Sequence, residues 1–359
     1  MVPDSVIATK LVAVDYYGGC NGVCEGCAMT IDERRRMVPY LDGKTLHDRV
    51  VSAVERLSPC ERIAIEIGRG NILNMDDVYW DDFTHAVFDI FKTCDRIKGL
   101  KKLNIEITAS LIGDRDEAFS RGECLIERIY NINNDTEYMA DVRFSIVGNS
   151  AIGNRKYWEH ILDFLERMEL RREEIFGTKT NCGDLLIMNL DPSNPPRMDI
   201  IDLIYEREWK STVNFALWAS RHAGNTIIST ASEDDFRQTE AFVLKAFEAG
   251  IDIGGWESIG KNNIDDNAEI LPSIMIDKNG NYKTSYFTPV GFFDPGRFMV
   301  NEIPNLMSVP KTCLSCCHFG ICRASGALLP IISLSVTFPY KKQCPNCMKS
   351  LLNAQRGII

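Results

Sequence analysis

Hydrophobic positions along the chain fall into two periods. Short apolar or alternating runs occur at Leu11-Val12-Ala13-Val14, Ile63-Ala64-Ile65-Glu66-Ile67, Leu103-Asn104-Ile105-Glu106-Ile107, Val142-Arg143-Phe144-Ser145-Ile146-Val147, Leu185-Leu186-Ile187-Met188 and Val213-Asn214-Phe215-Ala216-Leu217. Two of these runs end directly at glycine, Gly68 and Gly148, and one stops just before Asp191-Pro192. They read as six strands. Between them, residues 46–57, 80–98, 156–170 and 235–249 place apolar residues at helical spacing. Strands alternating with helices predict βαβ units on a parallel sheet. Six units are too few for a closed eight-fold barrel, so the fold expected is α/β, a partial (β/α)6 TIM-type barrel.

The pattern changes after Gly250. Gly, Asn, Asp and Pro become frequent and apolar runs shorten. Residues 273–285 read as a hairpin turning at Asn279-Gly280. The chain thus divides into a barrel domain, 1–250, and a small C-terminal domain, 251–359.

Composition narrows the function. The chain has 359 residues, a formal net charge of −10 and only short basic runs such as Arg34-Arg35-Arg36. No broad positive surface for a nucleic-acid backbone is expected. The start lacks a secretory pattern, and the longest apolar run, 327–338, is too short for a membrane span, which needs roughly 20 residues. A cytoplasmic protein is expected.

In that compartment thiols stay reduced, so thirteen cysteines point to metal ligation or catalysis rather than a disulfide framework. Nine of them cluster: Cys20, Cys24 and Cys27 near the start, and Cys313, Cys316, Cys317, Cys322, Cys344 and Cys347 near the end. Cys60, Cys94, Cys124 and Cys182 stand singly and read as small buried hydrophobes.

Gly18-Gly19-Cys20-Asn21-Gly22-Val23-Cys24-Glu25-Gly26-Cys27 spells C-x3-C-x2-C just after the first strand, at the sheet end where parallel folds carry their sites. The glycines let the backbone wrap closely around an inorganic core. Three thiolates hold three irons of a cubane and leave the fourth open to a ligand. A zinc site completed by a distant ligand is the competing reading. In this motif and its place the sequence resembles the radical S-adenosylmethionine superfamily. The resemblance implies a [4Fe–4S] cluster on Cys20, Cys24 and Cys27 whose open iron is chelated by S-adenosylmethionine. It also implies cleavage of a carbon–sulfur bond by one electron, and hydrogen abstraction from a substrate by the resulting 5′-deoxyadenosyl radical. An external electron donor such as flavodoxin or ferredoxin follows from the same implication.

Further positions extend the resemblance. Gly68-Arg69-Gly70-Asn71 follows the second strand where the family tends to have Gly-Gly-Glu, so Gly68 and Gly70 are implied cofactor contacts although the glutamate is missing. Thr108-Ala109-Ser110 stands where relatives have Thr-Asn-Gly, and Phe144-Ser145-Ile146-Val147-Gly148 resembles their Ser-Leu-Asp-Gly. Ser110 and Ser145 are therefore implied contacts of S-adenosylmethionine. Gly26 departs from the pattern, because the family usually has an aromatic residue before the third cysteine.

The distal cysteines resemble a SPASM extension, which is found on radical enzymes that modify peptides and proteins. By that match Cys313, Cys316, Cys322 and Cys344 hold one auxiliary [4Fe–4S] cluster. The second auxiliary cluster of such extensions is absent, because Gly326 replaces its last ligand and no cysteine lies between Cys182 and Cys313. A zinc ribbon is the rival, since Cys313-x2-Cys316 and Cys344-x2-Cys347 form two knuckles. The extension implies a peptide or a protein side chain as substrate. The first strand begins almost at the N-terminus, leaving no domain to clasp a leader peptide, which weighs against the peptide-maturing version. A non-catalytic iron–sulfur redox protein or zinc-containing scaffold is the alternative of a different class. Glu66 and Glu106 are candidates to face the barrel interior. Trp218, Arg221 and His222 follow the last strand, and His160 reads as a helix-surface residue. No residue set identifies a catalytic acid or base.

Overall fold

The computed structural model describes residues 10–22, 31–149, 154–177, 184–190, 196–209, 213–217, 221–223, 226–228, 233–251 and 271–287. Six strands, β1 (Lys10–Tyr17), β2 (Arg62–Arg69), β3 (Lys102–Ala109), β4 (Met139–Asn149), β5 (Leu185–Leu190) and β6 (Val213–Leu217), lie side by side in chain order and run parallel. Helices α1 (Ile31–Arg35), α2 (Gly43–Leu57), α3 (Asp77–Cys94), α4 (Arg115–Asn133), α5 (Arg155–Phe176), α6 (Asp199–Glu206) and α7 (Glu233–Glu248) alternate with them. This is the partial barrel-like α/β fold that the alternating pattern predicts.

The sheet is sorted into two faces by the period of two. Ile63, Ile65 and Ile67 of β2, Leu103, Ile105 and Ile107 of β3, and Val142, Phe144 and Ile146 of β4 are buried in the continuous core shared with the helices. The alternate positions carry Glu66, Asn104, Glu106, Thr108, Asp141, Arg143 and Ser145, so the inner face is polar. Pairing places Ala13, Glu66, Glu106 and Arg143 in one lateral row and Thr108 beside Ser145 in another. The register of β1 against β2 slips between Asp15 and Tyr17. A slip of this kind turns consecutive side chains toward one side. Tyr16 and Tyr17 accordingly both sit in the core, with the Tyr16 ring 5.2 Å from that of Phe83.

The structure adds elements to the simple periodic reading. Helices α1, α4 and α6 fall outside the expected helical segments. In α4, Arg121 and Gly122 interrupt the apolar stripe of Ala118, Phe119, Leu125, Ile126 and Ile129, yet both are buried. At Gly122 α5 packs closely: a Cβ there would meet the Met168 sulfur at 2.6 Å and displace that side chain. Arg121 donates to the carbonyls of Leu73 (3.0 Å) and Met75 (2.6 Å), pairs with Asp77 and Glu117, and lies 4.9 Å from the Trp80 ring centre. The hairpin forms as well. Its strands β9 (Leu271–Ile276) and β10 (Tyr282–Phe287) exist, and β9 pairs in parallel with β1. The eight-stranded sheet thus reads β10-β9-β1-β2-β3-β4-β5-β6. A separate pair, β7 (Arg221–Ala223) and β8 (Thr226–Ile228), is antiparallel.

Of the single cysteines, Cys94 is buried in the core and burial pushes its thiol up to about 12. Cys60 is half-buried and donates to the Arg62 carbonyl at 3.0 Å. Cys124 is exposed on α4, against the buried reading; Cys182 lies outside the described residues. No helix among the described residues is long and apolar enough to cross a membrane.

Candidate active site at the carboxyl ends of the strands

The chain leaves β1 at Tyr17 and passes through Gly18 and Gly19 to Cys20. Two backbone hydrogen bonds fix this loop: the Cys20 N–H donates to the Arg34 carbonyl (2.9 Å) and the Asn71 N–H donates to the Gly19 carbonyl (2.8 Å). Arg34 reaches back from α1 to the Gly22 carbonyl at 3.2 Å. The cysteine loop is thereby bound to the end of β2 on one side and to α1 on the other. The Cys20 sulfur accepts the Gly22 N–H at 3.3 Å and lies 3.7 Å from the Ser110 hydroxyl.

Gly70 is where close approach matters. A Cβ there would lie 2.5 Å from the Gly19 carbonyl oxygen and 2.7 Å from that of Tyr17. Both are backbone atoms that cannot step aside, so only glycine lets the end of β2 lie against the cysteine loop. Gly68 has more room. Its nearest neighbour would be the Thr108 hydroxyl at 3.1 Å.

Asn71 links three strand ends. Its amide nitrogen donates to the Ile112 carbonyl (2.8 Å) and to the Asn74 side chain (2.9 Å), and its amide oxygen accepts the Ser110 N–H at 3.3 Å. Tyr157, in the first turn of α5, donates its hydroxyl to the Ser110 carbonyl at 3.0 Å. Ser145 is fully buried one row below, and its hydroxyl donates to the Glu106 carboxylate. The structure therefore brings Cys20, Gly70 and Ser110 together around Asn71, and sets Gly68 and Ser145 deeper on the inner face. Glu106 and Asn71 went unassigned as partners in the sequence, because only the strand register puts them beside Ser145 and Ser110. The hydrophilic residue type at an inward strand position was the available signal for Glu106.

Among the described residues, the buried hydroxyls of Tyr17 and Thr108 have no hydrogen-bond partner. The Tyr17 phenol is pushed up to about 12, first by burial and then by the charges of Asp76 and Cys20. Buried polar groups in folded proteins are nearly always paired, by protein, by water or by a ligand. A thiolate-ligated iron cluster fits this surround. The Cys20 sulfur accepts the Gly22 N–H, and Gly18, Gly19, Gly22 and Gly70 leave the backbone around it open.

Cys24, Cys27, Cys313, Cys316, Cys322, Cys344 and Trp218 lie outside the described residues. Among the described residues no three His, Cys, Asp or Glu side chains converge as a metal site. His160 is half-buried on α5, stacked 5.6 Å from the Phe119 ring, and its imidazole is held below the ordinary value by burial and by Arg115. It lies apart from the cysteine loop, on the outer layer.

No protein-family profile and no curated protein matches the chain. Solved structures do. The chain is similar to native anSMEcpe with bound AdoMet, with a TM-score of 0.52 and 12% identity, over 98% of this chain and 100% of that one. Native anSMEcpe with bound AdoMet and Cp18Cys peptide gives a TM-score of 0.49 at 13% identity, over 98% and 100%. Streptococcus suis SuiB bound to S-adenosylmethionine gives 0.46 at 11% identity, over 88% and 72%. The first of these likenesses shows that the chain shares the fold of that AdoMet-bound protein.

Proposed function

We propose that the chain is a radical enzyme that binds a [4Fe–4S] cluster on Cys20, Cys24 and Cys27 and S-adenosylmethionine at the carboxyl ends of β1–β4. The observation that carries the reading is the seating of Cys20. Its sulfur accepts the Gly22 N–H, on a glycine-lined loop that hydrogen bonds clamp to the ends of β2 and α1. When bound, the cluster and S-adenosylmethionine together supply one-electron cleavage of a carbon–sulfur bond and a hydrogen-abstracting radical. The chain's residues provide the holding and the enclosure. Gly70 admits the close approach of β2, Asn71 fixes the loops, and the polar row of Glu66, Glu106 and Arg143 gives the barrel interior groups able to orient a polar substrate.

Gly68, Gly70, Ser110 and Ser145 are the proposed contacts around S-adenosylmethionine. Cys313, Cys316, Cys322 and Cys344 are the proposed ligands of one auxiliary [4Fe–4S] cluster, with Cys347 favouring zinc instead. The SPASM-like spacing of these cysteines supports a peptide or a protein side chain as substrate. Flavodoxin or ferredoxin is the proposed electron donor, in the cytoplasm.

The test is anaerobic reconstitution followed by incubation with S-adenosylmethionine and dithionite. About eight irons per chain and formation of 5′-deoxyadenosine are expected, both lost at the first cluster in Cys20→Ala. About four irons with one zinc would move the distal cysteines to the ribbon. A reconstituted, reduced sample that forms no 5′-deoxyadenosine refutes the radical reading and leaves the redox carrier.

A further inference from the structure

We propose that the Ser110 hydroxyl donates a hydrogen bond to the Cys20 sulfur when that sulfur ligates iron, and thereby sets how readily the cluster accepts its electron. The inference rests on the cluster reading above. It gives Ser110 a different part from that of a contact to S-adenosylmethionine.

The contact itself is the first ground. Cys20 Sγ and Ser110 Oγ lie 3.7 Å apart, within reach for a sulfur acceptor. A ligating cysteine is a thiolate with no proton to give, so the proton in this contact is the serine's. The same sulfur also accepts the Gly22 N–H at 3.3 Å, so two donors converge on one ligand atom.

The second ground is how firmly Ser110 is held. Its N–H is fixed by the Asn71 side chain at 3.3 Å and its carbonyl by the Tyr157 hydroxyl at 3.0 Å. Asn71 is itself buried at 3% exposure, and its own N–H grips Gly19, the residue before Cys20. One side chain thus fixes the serine while its backbone fixes the cysteine. Asn71 is the positioning residue of the pair.

The physical consequence concerns charge. Reduction adds an electron to the cluster and its sulfur ligands. A donor to a ligand sulfur favours the more negative state, and hydrogen bonds to the sulfurs are among the terms that set such potentials. The bond persists in both redox states, so the equilibrium reads only its strengthening on reduction, on the order of tenfold at most for a bond to a charged acceptor. For a one-electron couple, tenfold corresponds to about 59 mV.

The experiment is a redox titration of the full-length, reconstituted protein, followed by the electron paramagnetic resonance of the reduced cluster bound at Cys20. Ser110→Ala is expected to keep its iron and to lower the reduced-to-oxidised ratio at fixed potential by up to about tenfold. Ser110→Thr, which keeps the hydroxyl, is expected to restore it, and Asn71→Ala to move it in the same direction as Ser110→Ala. Iron loss in Ser110→Ala with retention in Ser110→Thr also supports a hydroxyl contact to the ligand. An unchanged potential in an iron-replete Ser110→Ala overturns the inference, as does equal iron loss in the alanine and threonine variants. If the unsubstituted chain binds no iron at Cys20, it is the radical reading that falls.

Discussion

Two buried polar clusters in this molecule are built on opposite terms. On the helix face, where β5 enters the sheet, Arg172 of α5 meets Asp184 through two hydrogen bonds of 2.6 and 2.8 Å, both side chains about 4% exposed. The same guanidinium donates to the Val142 carbonyl at 2.9 Å, and the carboxylate accepts the Phe144 N–H at 2.8 Å. Planar bidentate pairing with added backbone partners is what offsets the desolvation of two charges. At the carboxyl ends of β1–β3, Asn71 is as fully engaged, but the nearby buried hydroxyls of Tyr17 and Thr108 have no partner among the described residues. The first cluster pairs two opposite charges and ties a helix to the sheet. The second joins neutral groups through a backbone-facing amide at the end of the sheet where the cysteine loop sits.

That contrast can be broken or sharpened, starting where the effect is largest. Arg172→Leu leaves Asp184 buried without its cation and should destabilise the fold by about 3–5 kcal/mol in urea unfolding, while any folded fraction binds iron normally. Loss of iron without loss of stability would mean that the two regions are coupled. Arg121→Leu strips the Leu73 and Met75 carbonyls of a charged donor. Its expected destabilisation is about 3 kcal/mol, and because those carbonyls follow Asn71 it should also weaken iron retention.

Glycine substitutions separate the regions more finely. Gly70→Ala and Gly148→Ala should each destabilise by about 1–3 kcal/mol, since a Cβ at either would approach within 2.5 Å of a neighbour. At Gly70 that neighbour is the Gly19 carbonyl; at Gly148 it is the Trp158 ring. Iron content should fall only in Gly70→Ala. Equal loss in both would erase the distinction between loop and core. The smallest effect belongs to Thr108→Val. Deleting an unpaired hydroxyl should leave the apo protein as stable as before, or more stable by up to about 1 kcal/mol. A destabilisation by calorimetry would show that the hydroxyl is paired after all.

Alternation of apolar residues was enough to read β1–β6, because each strand buries one face against helices regardless of what its neighbours are. Helix α4 escaped, since Arg121 and Gly122 sit on its buried face and only their distant partners, the Leu73 and Met75 carbonyls and Met168, explain them. The hairpin was legible from Asn279-Gly280, but its seat beside β1 was not, because a pairing across more than two hundred residues leaves no local trace. The site divides in the same way. Cys20, Gly70 and Ser110 announced themselves by residue type and place after a strand. Asn71, Tyr17 and the Ser145–Glu106 bond depend on register and on the slip in β1, which shift which atoms meet without altering the periodic pattern.

The parallel pairing of β9 with β1, Leu11 to Ser273 through Val14 to Ile276, has a consequence for biosynthesis. Until that segment leaves the ribosome, β1 is an edge strand with a row of unpaired backbone groups. At ordinary rates of about 5–20 residues per second, the interval is about ten seconds to a minute. During it, the strand that delivers Cys20 is open to pairing with other chains. The last of the described strands therefore lock the first one in place, and assembly of the proposed cluster on the cysteine loop is best timed after synthesis has passed the hairpin.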